Sequence, residues 1–499
     1  MIITHAKIYG ESHRTLMDIA LDGDAIVALG PAGTLDTAGH EVVDADSRVV
    51  MPGLWDEHVH FGLWAQRRRW VDLSGATSAG EAAAIMGEAV RERGDTLGGA
   101  VLIGAGYRDG LWTDQKSTAL LDSHTGTVPV LLLSVDVHSC WVNTATIKAF
   151  DVKGHDVDGS LSEQECFDLT VAVGSVDELT LDSWVMEAAR AAAARGVVGI
   201  VDLDMAYNSV VWSRRAAGVK GHYPLRVEAG VYPEHLERAI ADGLHTGYAL
   251  APGISMGPFK IITDGSLNTR TAHCVEPYLG VEGDVRGAMN FDVAEIERLL
   301  VRAHQSGFSL AVHAIGDEAN RLILDVMEAN GLGGRIEHAQ LVRDADFVRF
   351  AKLGVIASVQ PEHAVDDRDV TDVYWADRAD RAFALRRLVD SGAQLILGSD
   401  APVAPLDPWV SIAAAITRTR DGREPWHPEQ SLTLDEAIGC STRSTVAVGQ
   451  PADLVIVDAD PKWLVDACGS NAAAASDAVR QMPVWMTISQ GIVTHDQSV

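Results

Sequence analysis

From Leu181 to Asp400 the chain repeats one pattern: a short β-branched run, then a charged amphipathic stretch of helical length. The runs are Val197–Asp202, Leu225–Val231, Phe259–Thr263, Phe308–His313, Arg335–His338, Val355–Val359 and Leu395–Leu397. Asp292–Gln305, Ala319–Asn330 and Arg378–Asp390 are the clearest helical stretches between them. Buried, β-branched strands separated by helices argue for a parallel sheet. A further run lies upstream, where Arg48-Val49-Val50-Met51 passes through Pro52-Gly53-Leu54-Trp55-Asp56-Glu57 into His58-Val59-His60. That makes eight strands, the number a closed (β/α)8 barrel needs. A doubly wound open sheet is the competing arrangement, but nothing here resembles its Gly-rich dinucleotide turn.

The flanks of this pattern read differently. Residues 1 to 50 are short strands broken by Asp22-Gly23 and Gly30-Pro31, and the far end carries similar runs at Ala452–Asp458, Val484–Ile488 and Gly491–Val493. Termini commonly lie close together, so both ends are expected to form one small β-sandwich domain, 1–50 with 447–499. The barrel would occupy 51–446. Residues 64–180 carry helices and strands of their own, with capping boxes at Ser78–Glu81 and Ser162–Glu165, and Gly94 placed to stop the first helix. They are expected to be a large α/β insertion after strand one.

Composition narrows the function. Among 499 residues, 70 acidic against 40 basic give a net charge of −30, a surface that repels nucleic acid and anionic membrane. Arg67-Arg68-Arg69 is too small a basic run for a phosphate-backbone footprint. No apolar run spans a bilayer, Met1–Lys7 shows no secretory pattern, and five scattered cysteines make no disulfide framework. A cytoplasmic protein acting on a small molecule is expected, and a homodimer is the commonest assembly of such proteins.

Active-site groups of a (β/α)8 barrel come from the C-terminal ends of its strands. Strand one ends in His58 and His60, on one face because residues two apart in a strand share a side. Strand four carries Lys260 inside a buried run, strand five ends in His313, strand six in His338, and strand eight in Gly398-Ser399-Asp400. Any one of these has an ordinary reading, as a core histidine, a capping aspartate or a lysine salt-bridged to Asp264 or another acid. Together, at matched strand ends, they point to a metal site.

Pro-Gly-x-x-Asp-x-His-x-His at 52–60, Lys260–Leu267, His313–Asp317, Ile336–Ala339 and Gly398–Pro402 resemble the amidohydrolase superfamily, in its YtcJ-like branch, which includes N-substituted formamide deformylases. Asp136–Asn143 resembles that branch's insertion, and the likeness extends to Ala452–Val455; the Ser444–Gln450 link is shorter than the family's usual approach to that strand. The resemblance implies two divalent ions, with zinc, iron and manganese all compatible with imidazole and carboxylate ligands. His58, His60 and Asp400 would bind the more buried ion, His313 and His338 the second, and Lys260, N6-carboxylated, would bridge them. Hydroxide between the ions would attack an amide-type carbon–nitrogen bond, with Asp400 as general acid and base. Expected substrate contacts are Trp112, His138, Asp264, Arg270, Asp317 and Gln360. Asp56 and Glu337 could orient ligands, and His363 follows strand seven at the same end. The same ligands would also serve ring deamination, with Asp317 the nearest extra acid, or ester and lactone hydrolysis. A catalytically silent scaffold predicts lost ligands, and none is lost.

Overall fold

The computed structural model describes residues 1–10, 15–93, 100–107, 109, 112–134, 139–174 and 176–498. The chain divides into two compact units, Met1–Trp64 with Met186–Val499, and Ala65–Val185.

The first unit contains the barrel. Its strands are β1 (Leu54–Val59), β2 (Val197–Asp202), β3 (Arg226–Val231), β4 (Ile254–Ile262), β5 (Leu310–Ala314), β6 (Gly334–His338), β7 (Val355–Val359) and β8 (Leu395–Leu397). Each pairs in parallel with the next in chain order. The ring is closed by a parallel bridge between Val59 and Ala401. There the Asp400 N–H donates to the His58 carbonyl at 2.7 Å and the His60 N–H to the Ala401 carbonyl at 2.8 Å. β1 is irregular where it matters: between Ile200↔Asp56 and Asp202↔Val59, three steps along β1 face two along β2. A bulge of this kind re-aims side chains beside a site.

The outer helices follow their apolar spacing. Val293–Gln305 buries Ile296, Leu299, Leu300 and Ala303, the i, i+3, i+4, i+7 stripe of one helix face. Asp317–Asn330 buries Ala319, Ile323, Leu324 and Met327 and stops at Gly331, whose φ of 61° suits a left-handed cap. These stripes and the outward residues of the strands, such as Val312 and Ile336, form one apolar cluster.

Strands from both ends of the chain join one sheet in the order Ile492–Asp496, Val484–Ser489, Leu454–Val457, Val49–Pro52, Ile2–Ile8, Met17–Asp22, Ala25–Pro31, with Val42–Asp44 beside Ile2–Ile8. Val49–Pro52 is the hinge of this arrangement: it runs parallel to Ile2–Ile8 and antiparallel to Leu454–Val457, then leads into β1. Ile3, Ile19, Val50, Leu454 and Ile488 share its core. Val49, Met51, Val455 and Val457 belong to the barrel cluster instead, so the sheet is fastened to the barrel through alternate residues of the same strands. The C-terminal segment also holds two helices, Pro461–Ala467 and Ala472–Arg480, in a stretch expected to be β.

The second unit has a five-stranded sheet in the order Ser160–Ser162, Ser139–Val142, Val130–Ser134, Leu102–Tyr107, Val71–Asp72. Helix Ala79–Arg93 starts at Ser78, whose hydroxyl accepts the Glu81 N–H at 3.0 Å. Glu81 reaches back to Thr77 and not to Ser78, at 2.7 Å from its N–H. Gly94 lies outside the described residues. No helix among those described is long and apolar enough to cross a membrane.

Candidate metal centre

A cavity of about 690 Å³ opens at the C-terminal ends of the barrel strands, and its lining includes His58, His60, Lys260, His313, His338 and Asp400. Asp400 Oδ1 stands 3.4 Å from His58 Nε2 and 3.3 Å from His60 Nε2. The ring centres of His313 and His338 are 4.4 Å apart, and those of His58 and His338 5.1 Å. His58, His338 and Asp400 each offer one ligand atom, all within 4.8 Å of one another. His313 Nε2 faces the Gly265 carbonyl and Asp264 Oδ1, each at 3.4 Å, which leaves Nδ1 as the nitrogen it can offer.

Backbone conformation sets two of these groups. His338 has φ +74° and Asp400 φ +56°, a region that non-glycine residues seldom occupy and that clusters at functional sites. The turn at His338 ends strand alternation, so consecutive Glu337 and His338 both serve the centre. Gly398 allows β8 to approach β1: a Cβ there would sit 2.7 Å from the His58 nitrogen. Asp56 accepts the N–H groups of His58 at 3.1 Å and Ser399 at 2.9 Å. It therefore joins the ends of β1 and β8 through backbone, where an imidazole contact was expected.

The electrostatics suit a cation. Burial, with the nearby Lys260, holds His58 down at about 4 and His313 at about 3; burial and His313 hold His338 well below the usual range. All three rings are thus neutral, the form that ligates metal. Burial pushes Asp400 upward, but His58, His60, His338 and His363 together hold its carboxyl well below the usual range, so it is ionised. Lys260 is 1% exposed and its Nζ has no hydrogen-bond partner among the described residues. Burial lowers it to about 8 against the opposing pull of Glu337 and Asp400. The salt bridge to Asp264 is not formed, because that carboxylate accepts the N–H groups of His273, Ile315 and Gly316. An unpartnered buried amine among neutral imidazoles and an ionised carboxylate fits a divalent-metal centre.

Behind the imidazoles runs a line of charge. His58 Nδ1 meets Glu337 Oε2 at 2.7 Å. Glu337 pairs with Arg335 Nε at 2.6 Å, and Arg335 Nη1 donates to Glu57 at 3.3 Å. Arg443 grips Glu57 with two bonds of 2.6 Å and Glu228 with two, of 2.5 and 3.3 Å. Glu57, Arg335 and Arg443 line a second cavity with Leu310, Gly334 and Leu395, at the opposite end of the barrel.

The expected substrate contacts fare otherwise. Asp264 is 0% exposed and occupied by backbone. Asp317 accepts the Val275 N–H at 2.9 Å and faces Arg381 at 3.4 Å. Arg270 reaches the Tyr374 hydroxyl at 3.3 Å, and Gln360 turns its amide to the Ser358 carbonyl at 3.3 Å. None of these four lines the cavity. Trp112 packs on Tyr107 within the second unit's own core, ring centres 5.3 Å apart. His138 lies outside the described residues. The lining instead brings in Asp204, Met205, Asn268, Gln340, His363 and Asp367. Asp204 accepts the Gly62 N–H at 2.6 Å, and burial raises it to about 7. Its signal was available: Asp202-Leu203-Asp204 ends β2 with the same i, i+2 spacing as His58 and His60.

Residues 41–495 match the amidohydrolase family. The chain belongs to that family. It is 28% identical over 465 residues to YtcJ of Bacillus subtilis (strain 168), named as an amidohydrolase, covering 84% of this chain and 86% of that one. It is 25% identical over 232 residues to the N-substituted formamide deformylase of Arthrobacter pascens, covering 42% and 41% of the two chains. The crystal structure of a metal-dependent hydrolase from Pyrococcus furiosus superposes with a TM-score of 0.75 at 25% identity, over 92% of this chain and 99% of that one.

Proposed function

We propose that this protein is a metal-dependent hydrolase that cleaves an amide- or formamide-type carbon–nitrogen bond of a small molecule. His58, His60 and Asp400 would hold one divalent ion and His313 and His338 a second, with Lys260, as its carbamate, between them; zinc is the expected metal. Bound there, such ions supply Lewis acidity, activating water near neutral pH and polarising a carbonyl. The remaining work falls to the chain. The unpartnered amine of Lys260, kept partly uncharged by burial, is free to take up carbon dioxide. Glu337 keeps Nδ1 of His58 engaged so that Nε2 faces the cavity. Asp400, ionised and beside His58 of β1 and His60 just after it, accepts the proton of the attacking water and returns it to the departing nitrogen.

The observation that carries this reading is the buried, unpartnered Lys260 in one cavity with four imidazoles and Asp400. The formamide class is supported by the relative named as a deformylase. Asp317, the extra acid that ring deamination would use, is outside the cavity lining and engaged with Val275 and Arg381, which counts against that alternative. The test is metal analysis with a substrate panel of formamides, N-acyl amines, cyclic amides, esters and lactones. About two zinc ions per chain are expected, with turnover confined to amide-type members and abolished in Asp400→Asn. Full activity without metal, or turnover of esters alone, would overturn the reading.

A further inference from the structure

His363 is a second polar group aimed into the same cavity, and it is not among the ligands assigned above. It stands in the first turn of helix Pro361–Asp366, directly after β7. The residue is 5% exposed and lines the cavity, yet its Nε2 has no hydrogen-bond partner among the described residues. On the other side of the ring Gln340 Nε2 lies 3.4 Å from Nδ1. With the Gln340 amide nitrogen turned to the ring, Nδ1 is the acceptor and the tautomer assigned to that contact carries its hydrogen on Nε2. The ring lies nearly parallel to that of His338, at 13° with centres 6.1 Å apart. Packing on one face and Gln340 on one edge thus fix where the N–H points. Asp400 Oδ2 is 3.8 Å away, too far for a hydrogen bond, and the other oxygen of that carboxylate faces His58 and His60.

A buried N–H donor with no acceptor costs free energy. Here it is retained in a cavity whose chemistry gathers negative charge on an oxygen. We infer that His363 is a further catalytic residue, donating its Nε2–H to the substrate oxygen on which charge develops as the carbonyl carbon becomes tetrahedral. The inference rests on the hydrolase reading above. Gln340 is then a positioning residue, holding the donor tautomer. No bond to His363 forms or breaks, and its contribution is a fixed donor placed before reaction begins.

Two variants and a probe test this. Zinc-loaded parent, His363→Ala and His363→Gln are compared for bound metal, for melting temperature, and for affinity toward methylphosphonate, a tetrahedral oxyanion. His363→Ala should bind methylphosphonate about 10-fold more weakly than the parent, the scale of one lost hydrogen bond to a charged oxygen, at equal metal content. His363→Gln, which keeps an N–H donor, should recover most of that affinity. On an amide that the parent turns over, kcat of His363→Ala should fall about 100-fold with KM little changed. Equal methylphosphonate affinity in parent and His363→Ala, or no binding by the zinc-loaded parent, overturns the inference. Loss of zinc together with affinity in His363→Ala also overturns it, because the residue would then serve the metal. A parent that takes up zinc and binds methylphosphonate but hydrolyses no amide overturns the functional reading and leaves the donor assignment standing.

Discussion

Replacing Glu337 by glutamine keeps the shape of the side chain and removes one charge from the middle of a buried line. The carboxylate sits between His58 Nδ1 at 2.7 Å and Arg335 Nε at 2.6 Å and is fully buried. Burial pushes its pKa up, but Arg335, His58 and Lys260 hold it well below the usual range, so an anion is lost at any pH near neutral. Two effects follow. A ligating histidine that loses its carboxylate partner costs about 10- to 100-fold in metal affinity, which is about 1.4 to 2.7 kcal/mol. Breaking a buried ion pair from one side costs about 3 to 5 kcal/mol of stability. The lower end applies here, because Arg335 retains Glu57 at 3.3 Å. The two are separable. Zinc affinity is read by chelator competition at a temperature where both proteins are folded, and stability by urea unfolding of the metal-free forms. Glu337→Gln should show both losses, whereas Glu57→Gln, two links further from His58, should lose stability and keep most of its zinc affinity. Unchanged affinity in Glu337→Gln, or an equal loss in Glu57→Gln, would refute the claim that Glu337 acts on the centre through His58.

Two other substitutions probe the frame of the site, and a third reports pH. Lys260→Met should stabilise the metal-free protein by about 1 to 3 kcal/mol, since it removes a buried amine without a partner, while zinc uptake falls. A melting temperature that drops in the metal-free variant would contradict this. Gly398→Ala would place a methyl 2.7 Å from the His58 nitrogen and 2.8 Å from its Cβ; a stability loss of about 1 to 3 kcal/mol with weakened zinc binding is expected, and a neutral result would mean β8 can withdraw freely from β1. Glu436 is outside the cavity lining and reports pH. Arg386 first, and then Thr433, lower its pKa from 4.5 to about 2 against the effect of burial. A depressed carboxylate contributes stability that is fully present above pH 4.5 and is lost as pH falls through 2. With its side chain 34% exposed, screening reduces the contribution to about 1 kcal/mol. Urea unfolding of Glu436→Gln should therefore show that deficit at pH 6 and almost none near pH 2.

Much of the fold was legible because its signals are local. Most barrel strands are short buried runs such as Val197–Asp202 and Val355–Val359, and helices such as Val293–Gln305 carry an apolar stripe, and both can be read within a dozen residues. The helices at 461–480 had local signals as well: Asp460 and Asn471 cap them by accepting the N–H groups of Lys462 at 2.9 Å and Ala474 at 3.0 Å. Reading that end of the chain by its strands alone passed over them. What could not be read is pairing across long separations. Asp56 finds Ser399 343 positions away, and Glu57 finds Arg443 386 positions away. Neither carboxylate carries a mark that distinguishes it from a strand-end acid.

The site divides along the same line. That the histidines, Lys260 and Asp400 would line one cavity could be read from position, since a group at the C-terminal end of a barrel strand faces the mouth wherever its neighbours lie. Which acids serve substrate and which serve the frame depends on the loops beyond the strands. Asp264 and Asp317 look like substrate contacts in sequence because they follow β4 and β5, yet their oxygens are taken by backbone N–H groups and, for Asp317, by Arg381. Asp204 and His363, equally plain in sequence, line the cavity. The pattern of alternation also fails at the end of β6. A strand sends Glu337 and His338 to opposite faces, and only the left-handed turn at His338, φ +74°, lets the first hold His58 while the second faces the cavity. That conformation costs on the order of 1 to 3 kcal/mol, and it persists because the Ala339 N–H is held by the Ala314 carbonyl at 3.1 Å and Leu341 by Ile315 at 2.9 Å. The loop after β5 thus fixes the turn after β6, and the position of one candidate ligand depends on the backbone next to another.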